Sequence, residues 1–329
     1  MNIWRLQTKT ANNDSAKIAD YCIENNIIAI GWSLRFSQDK TAKEDYEEHG
    51  EKMLEREQIS TFTEYKKFID KHDFYGRKVN ENVNRFCWHI KPNDLVWMRS
   101  SGVYYLGRVT EKSKWFFNTS QEAYDKDAAN QYSDIEWHCI GDESNVPGAI
   151  ATAFIRGMTL QRINKSGVAE FSRYIFNQKS GKKIYDDFSV SDPFDTFYNL
   201  LSTEDCEDLL CLWLYSKFGY VAIPSTNKKA TELYECVLKD PKNGKCIYPQ
   251  AKSYLDDNHK LLKDDYTHLK GDVWLFVARG EIYGDPDKKY NKIHVADPRE
   301  LYNFVGSKKA ANILPKSILN WYKMLSKLK

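Results

Sequence analysis

Three residues of this chain, Glu235, Gln250 and Lys252, have the types and spacing for metal-assisted chemistry on a phosphodiester. The stretch GKCIYPQAKSY, residues 244–254, ends a short apolar run at Pro249 and then delivers Gln250 and Lys252 two positions apart. Side chains two apart in a strand share a face, so an amide and an ammonium stand side by side. Phosphodiester cleavage needs an acidic ligand for a hard divalent cation, a second oxygen ligand, and a positive charge near the attacking water or the scissile phosphate. Glu235 can be the first, the Gln250 side-chain carbonyl the second, and Lys252 the third. The spacing alone favours an exposed hairpin with ordinary polar residues, since Q-x-K triplets are common.

The elements that must position these residues are legible around them. A turn, DPKNGK, joins a strand over TELYECVL (231–238) to a strand over CIYPQAK (246–252), so a hairpin brings Glu235 to the edge that carries Gln250 and Lys252. Glu232 competes with Glu235, but alternation puts the two on opposite faces, and Glu235 shares the Leu233 and Val237 side inside the strand. Before this hairpin, STEDCEDLLCLWLYSKFG (202–219) is a helix capped by Ser202 or Thr203, with acids in its first turn and Gly219 at its end. Glu204 and Glu207 in that helix are further acids, most simply explained by the preference of carboxylates for a helix N-terminus. The loop Ser225–Lys229, with hydroxyls, Lys228 and Lys229, suits either backbone phosphates or plain solvation. Strands over YVAIPS, DVWLFVARG and NKIHVAD, and a helix over PRELYNFVG opened by Pro298, complete an α/β domain with a mixed sheet.

The first half reads as strands with helices. NIWRLQT and IIAIGW are strands, DSAKIADYCIENNI and TFTEYKKFIDKH are helices, and Leu95–Arg99 and Val103–Val109 flank a Ser-Ser-Gly turn as a hairpin. A polar, turn-rich span sets the expected division: a domain over 1–165, a linker over 166–195 and a domain over 196–329. Lys and Arg total 48 against 46 Asp and Glu, so no uniformly basic nucleic-acid coat exists. Seven scattered cysteines without a CxxC pair argue against a zinc ribbon or a disulfide scaffold and for a reducing cytoplasm. No apolar run approaches the roughly 18 residues of a membrane span, and the N-terminus lacks a signal-peptide core. HExxH, GxxxxGK[ST] and GxSxG are all absent, which disfavours metalloprotease, P-loop and α/β-hydrolase chemistry.

The run from Ser202 to Tyr254, continuing through GDVWLFVARGEIYG, resembles the PD-(D/E)XK nuclease superfamily, and most of all the Mrr-like restriction endonuclease branch, where the last motif often reads Q-x-K. The resemblance covers roughly residues 200–305 and implies a mixed-sheet restriction-endonuclease-like core. It places Glu235 as the metal-binding acid, a Glu where Asp is commoner, with Gln250 as the second Mg2+ or Mn2+ ligand and Lys252 as the catalytic lysine. It further implies a DNA substrate and, because both strands are cut, a homodimer. In the first half, IKPNDLVWMRSSGVYYLGRVTEK (90–112) resembles the hairpin of PUA-like barrels of the EVE type, with Asn93-Asp94 standing where that pattern has Gly-Asp. This implies an N-terminal PUA-like β-barrel with helices that holds a flipped nucleobase between aromatic walls. Trp32, Trp97 and Tyr105 are then the aromatic contacts and Asp94 or Arg99 the polar ones, while Lys228, in the loop before the acidic strand, is the candidate for the nucleic-acid backbone. The expectation is an α/β (α+β overall) cytoplasmic, metal-dependent DNA endonuclease of restriction or anti-phage type, directed to modified bases. The alternatives are a nucleic-acid-binding protein with an inactive nuclease fold and an RNA-directed PUA-like protein.

Overall fold

In a computed structural model, the described residues are all of 1–329 except 9–14, 156, 166, 187–191, 227–232, 254–259 and 327–329. Helices and mixed sheets build an α/β chain of two compact units. Unit 1 comprises Met1–Glu143 and Ile150–Asp186, and unit 2 comprises Ser144–Ala149 and Asp187–Lys329. Among the described residues no helix is long and apolar enough to cross a membrane.

Unit 1 runs β1 (Ile3–Leu6), α1 (Ser15–Glu24), β2 (Ile28–Ile30), α2 (Ala42–Glu57), α3 (Phe62–Lys71), α4 (Glu81–His89), β3 (Leu95–Ser100), β4 (Val103–Val109), β5 (Trp115–Phe117), α5 (Gln121–Asp125), β6 (Asn130–Tyr132) and β7 (Ile135–Gly141). After α6 (Gly148–Ala153), which begins in the stretch grouped with unit 2, come β8 (Leu160–Arg162) and α7 (Val168–Ser180). The main sheet has the order β7-β4-β3-β1-β8, with β1 and β3 parallel and the other pairs antiparallel. Among the described residues the expected barrel is not closed: β7 and β8 are the edges of this sheet, and β2, β6 and β5 form a separate one. Closure needs one continuous, staggered ladder around the strands, and here the eight described strands of unit 1 divide instead into a five-stranded and a three-stranded sheet.

Strand β3 is buried on both faces. Val96 and Met98 join the core that contains Ile18 and Cys22 of α1, while the Trp97 ring stacks on Phe171 of α7. Residues 168–180 of the span expected as a linker are instead α7, which packs on β7 and β1 within unit 1. Its polar NQKSGKK end is the exposed last turn of a helix closed by Gly181 at a φ of 68°.

Unit 2 continues with α8 (Pro193–Leu200), α9 (Thr203–Phe218), β9 (Val221–Ala222), β10 (Leu238–Lys239), β11 (Cys246–Lys252), β12 (Leu261–Leu262), β13 (Asp272–Val277), β14 (Ile282–Tyr283), β15 (Ile293–Val295), α10 (Pro298–Val305) and α11 (Lys316–Ser326). Its sheet has the order β15-β13-β11-β10-β9, parallel across the first three strands and antiparallel beyond them. Helix α9 begins with a full capping box between Ser202 and Asp205 and ends at left-handed Gly219. It packs on β11, with Trp213 edge-on to Trp274, the residue opposite Pro249. Alternation then aims Tyr248, Gln250 and Lys252 to the other face, where Tyr248, Val273 and Leu275 pack with Leu261 and Tyr266.

Candidate functional site

The end of β11 that carries Gln250 and Lys252 is built by two irregularities. Pro249 has no N–H to donate, so the ladder on its β10 side cannot continue regularly. Counting back from Leu238 opposite Ile247, regular register would set Glu235 opposite Gln250. The Glu235 amide instead donates to the Pro249 carbonyl at 3.0 Å, one residue short, so the segment bulges. The strand expected over residues 231–238 is accordingly reduced, among the described residues, to Leu238–Lys239, and Glu235 sits in the irregular approach to it.

That bulge gathers the expected trio. Gln250 Nε2 donates to Glu235 Oε1 at 2.7 Å, and Lys252 Nζ lies 3.8 Å from the same oxygen. Gln250 is 2% exposed, and its Oε1 is buried with no hydrogen-bond partner among the described residues. Lys252 keeps 42% of its side chain exposed, so its ammonium stands at the mouth of the site. Thr203 and Ser253 share a hydroxyl hydrogen bond of 3.2 Å that ties the start of α9 to the end of β11.

One further member joins from α9. Glu207 shares a side-chain hydrogen bond with Glu235, and burial, then the Glu235 charge, raise its pKa to about 8 against the pull of Lys252. Two carboxyl groups this close cannot both ionise without a cation between or beside them. From its place in the sequence alone, Glu207 is a carboxylate of the helix start. Its place one turn before Cys211 gains meaning only with the packed face of α9 in view. Asp205, by contrast, does serve the helix start: its side chain bonds Ser202, and burial raises it to about 6.

The donor set suits a hard divalent cation: two carboxylates and one amide oxygen, the last buried and unpartnered. Among the described residues, no group of three or more His, Cys, Asp or Glu is placed to hold a metal ion. Glu232 and Lys228 lie outside the described residues.

Of the described residues expected to read a nucleobase, Trp97 and Asp94 are taken up by the core, and Arg99 lines a cavity. Trp97 is fully buried, its indole N–H donating to Ser172 Oγ at 2.9 Å, because α7 covers the face of β3 that was expected to be open. Asp94 is also buried and structural: it accepts from the Asn2 amide at 2.6 Å, the Trp4 indole at 2.8 Å and the Lys91 amide at 3.2 Å, joining the starts of β1 and β3. Trp32 is partly buried against the core, with its backbone at a φ of 57° and its carbonyl accepting from Tyr65 and Asn130. Tyr105 is half-buried beside a bulge in the β4–β7 pairing. Arg99 pairs with Glu143 at 3.5 Å and lines a cavity of about 280 Å³ with Gln7, Thr8, Ser101 and Phe154. None of Trp32, Asp94, Trp97 or Tyr105 lines that cavity.

No family model, no curated protein and no solved structure matches this chain.

Proposed function

We propose that unit 2 is a divalent-cation-dependent phosphodiester hydrolase acting on DNA, in the manner of a restriction or anti-phage endonuclease. The observation that carries this reading is the acid pair Glu207–Glu235 set against the buried, unpartnered Gln250 Oε1 and the exposed ammonium of Lys252. Glu235, Glu207 and Gln250 Oε1 would hold Mg2+ or Mn2+. Such an ion, when bound, supplies a more acidic water and neutralises charge developing on the phosphate. Lys252 places a positive charge where the phosphate must approach and orients the attacking water beside Glu235. Gln250 fixes Glu235 through its amide N–H, and the bulge at Pro249 fixes both. Unit 1 would contact the same nucleic acid and choose the site, modified DNA included, with Arg99 at its cavity the first side chain to examine. Seven cysteines free of disulfides support a reducing, cytoplasmic setting.

The test is cleavage of unmodified DNA, modified phage-type DNA and RNA in Mg2+ or Mn2+, with Lys252→Ala in parallel. The expected result is cutting of DNA by the native chain and a loss of at least about a hundredfold in the variant. Cutting of RNA alone would move the substrate. No cutting of any polymer with either metal, or equal cutting by the variant, would overturn the site.

A further inference from the structure

Two cysteines lie one step beyond the acid pair. Cys211 is one helical turn after Glu207 on α9, and Cys236 directly follows Glu235. Their sulfurs are 3.9 Å apart, and neither is in a disulfide. The same bulge that turns Glu235 toward Glu207 thus turns Cys236 toward Cys211, so the two elements meet twice in one helical turn: once through carboxyls, once through thiols. Cys236 is 6% exposed, and Cys211 is the more accessible of the two.

We propose that Cys211 and Cys236 are a redox-active dithiol that closes to a disulfide under a peroxide-class oxidant and so ties the Glu235 segment to α9. The Cys211 sulfur attacks the O–O bond, forming a sulfenic acid and releasing one water. The Cys236 sulfur then attacks that sulfenic sulfur, and the S–O bond breaks as the S–S bond forms, releasing a second water. The two thiols lose two electrons and two protons, and the peroxide is reduced to two waters. Closing the contact from 3.9 Å to a bond of about 2.05 Å draws the two backbones together at the residues next to both acids. Carboxyl spacing is what a cation site is sensitive to, and misplacements on the order of 1 Å cost up to about a hundredfold in rate. Oxidation therefore lowers activity and a reducing thiol restores it. This consequence rests on the reading of unit 2 as a metal-dependent hydrolase, whereas the bond itself does not.

The full chain is treated with hydrogen peroxide at low molar excess, quenched by alkylation, digested without reductant and mapped by mass spectrometry. The expected product is one cross-linked peptide pair joining Cys211 to Cys236, two hydrogens lighter than the separate peptides and released by dithiothreitol. Both thiols remaining alkylatable, separate sulfinic products, or pairing with another cysteine would overturn the proposal whether or not the protein cuts DNA. In parallel, oxidation is expected to lower Mn2+ affinity and Mg2+-dependent cleavage at least tenfold in the native chain, reversibly, and to leave Cys211→Ser unchanged. Loss of activity in both proteins alike, with the linked peptide formed, would show that the bond does not control the site.

Discussion

Burial and the Glu235 charge raise Glu207 from an ordinary value of 4.5 to about 8, and this makes stability depend on pH with a definite sign. A carboxyl whose pKa is higher folded than unfolded contributes its full stabilisation below the unfolded value and loses it as pH rises through the folded one. Between pH 5 and 8.5, without divalent cation, the melting temperature of the native chain relative to Glu207→Gln is therefore expected to fall. Mg2+ is expected to flatten that difference, since a cation replaces the shared proton. A pH-independent gap between the two proteins in a thermal melt would remove Glu207 from the acid pair. Gln250→Glu tests the same cluster from the other side. It removes the amide donor to Glu235 and adds a third buried acid, so it should melt well below the native chain in EDTA and recover in Mg2+ or Mn2+. Equal melting of the two proteins in EDTA would contradict the crowding of acids described above.

At the scale of elements, the site depends on α9 keeping its start and on β11 keeping its distance from β13. Ser202 caps α9 in a box with Asp205, so Ser202→Ala is expected to cost about 1 kcal/mol in urea unfolding. Gly271 precedes β13, and a Cβ there would fall 2.0 Å from the Cys246 carbonyl oxygen. Gly271→Ala must push β11 away from its parallel partner, and a loss of about 1–3 kcal/mol should follow. A native-like unfolding midpoint would show that this backbone can yield. In unit 1, β3 is sandwiched between α1 and α7, so Trp97→Ala is a core truncation costing about 3–5 kcal/mol. Its effect should appear in the thermal melt, and Trp97→Phe should leave any discrimination between DNA substrates unchanged. Altered discrimination by a stably folded Trp97→Phe would reopen β3 as a reading surface.

For the whole molecule, unit 1 has a core around Trp4, Ile28, Phe86 and Met98, and in unit 2 α9 packs on β11, which pairs with β13. Cutting both strands of a duplex usually takes two active sites, and on the proposed reading unit 2 would supply one per chain. Light scattering of the protein on a DNA duplex, with Ca2+ in place of Mg2+ to hold the complex before cleavage, is expected to give two chains per duplex. One chain per duplex would confine the activity to nicking or to single strands.

Much of the arrangement was legible in the sequence because it is local. The capped α9, the DPKNGK hairpin, the Ser-Ser-Gly hairpin of β3 and β4, and the shared face of Gln250 and Lys252 follow from capping chemistry, turn residues and the two-residue period of a strand. What alternation could not tell was which faces are covered. Trp97 and Asp94 have the types of pocket residues, yet α7 and the start of β1 take every polar atom they offer. How the strands of unit 1 divide between two sheets is likewise not written in their local pattern. Glu207 has the type and place of a helix-start acid, and only the bulge opposite Pro249 turns Glu235 onto it. Short-range pattern determined which elements form, and tertiary packing decided which side chains are left to do chemistry, because burial and charge coupling depend on neighbours far away in the chain.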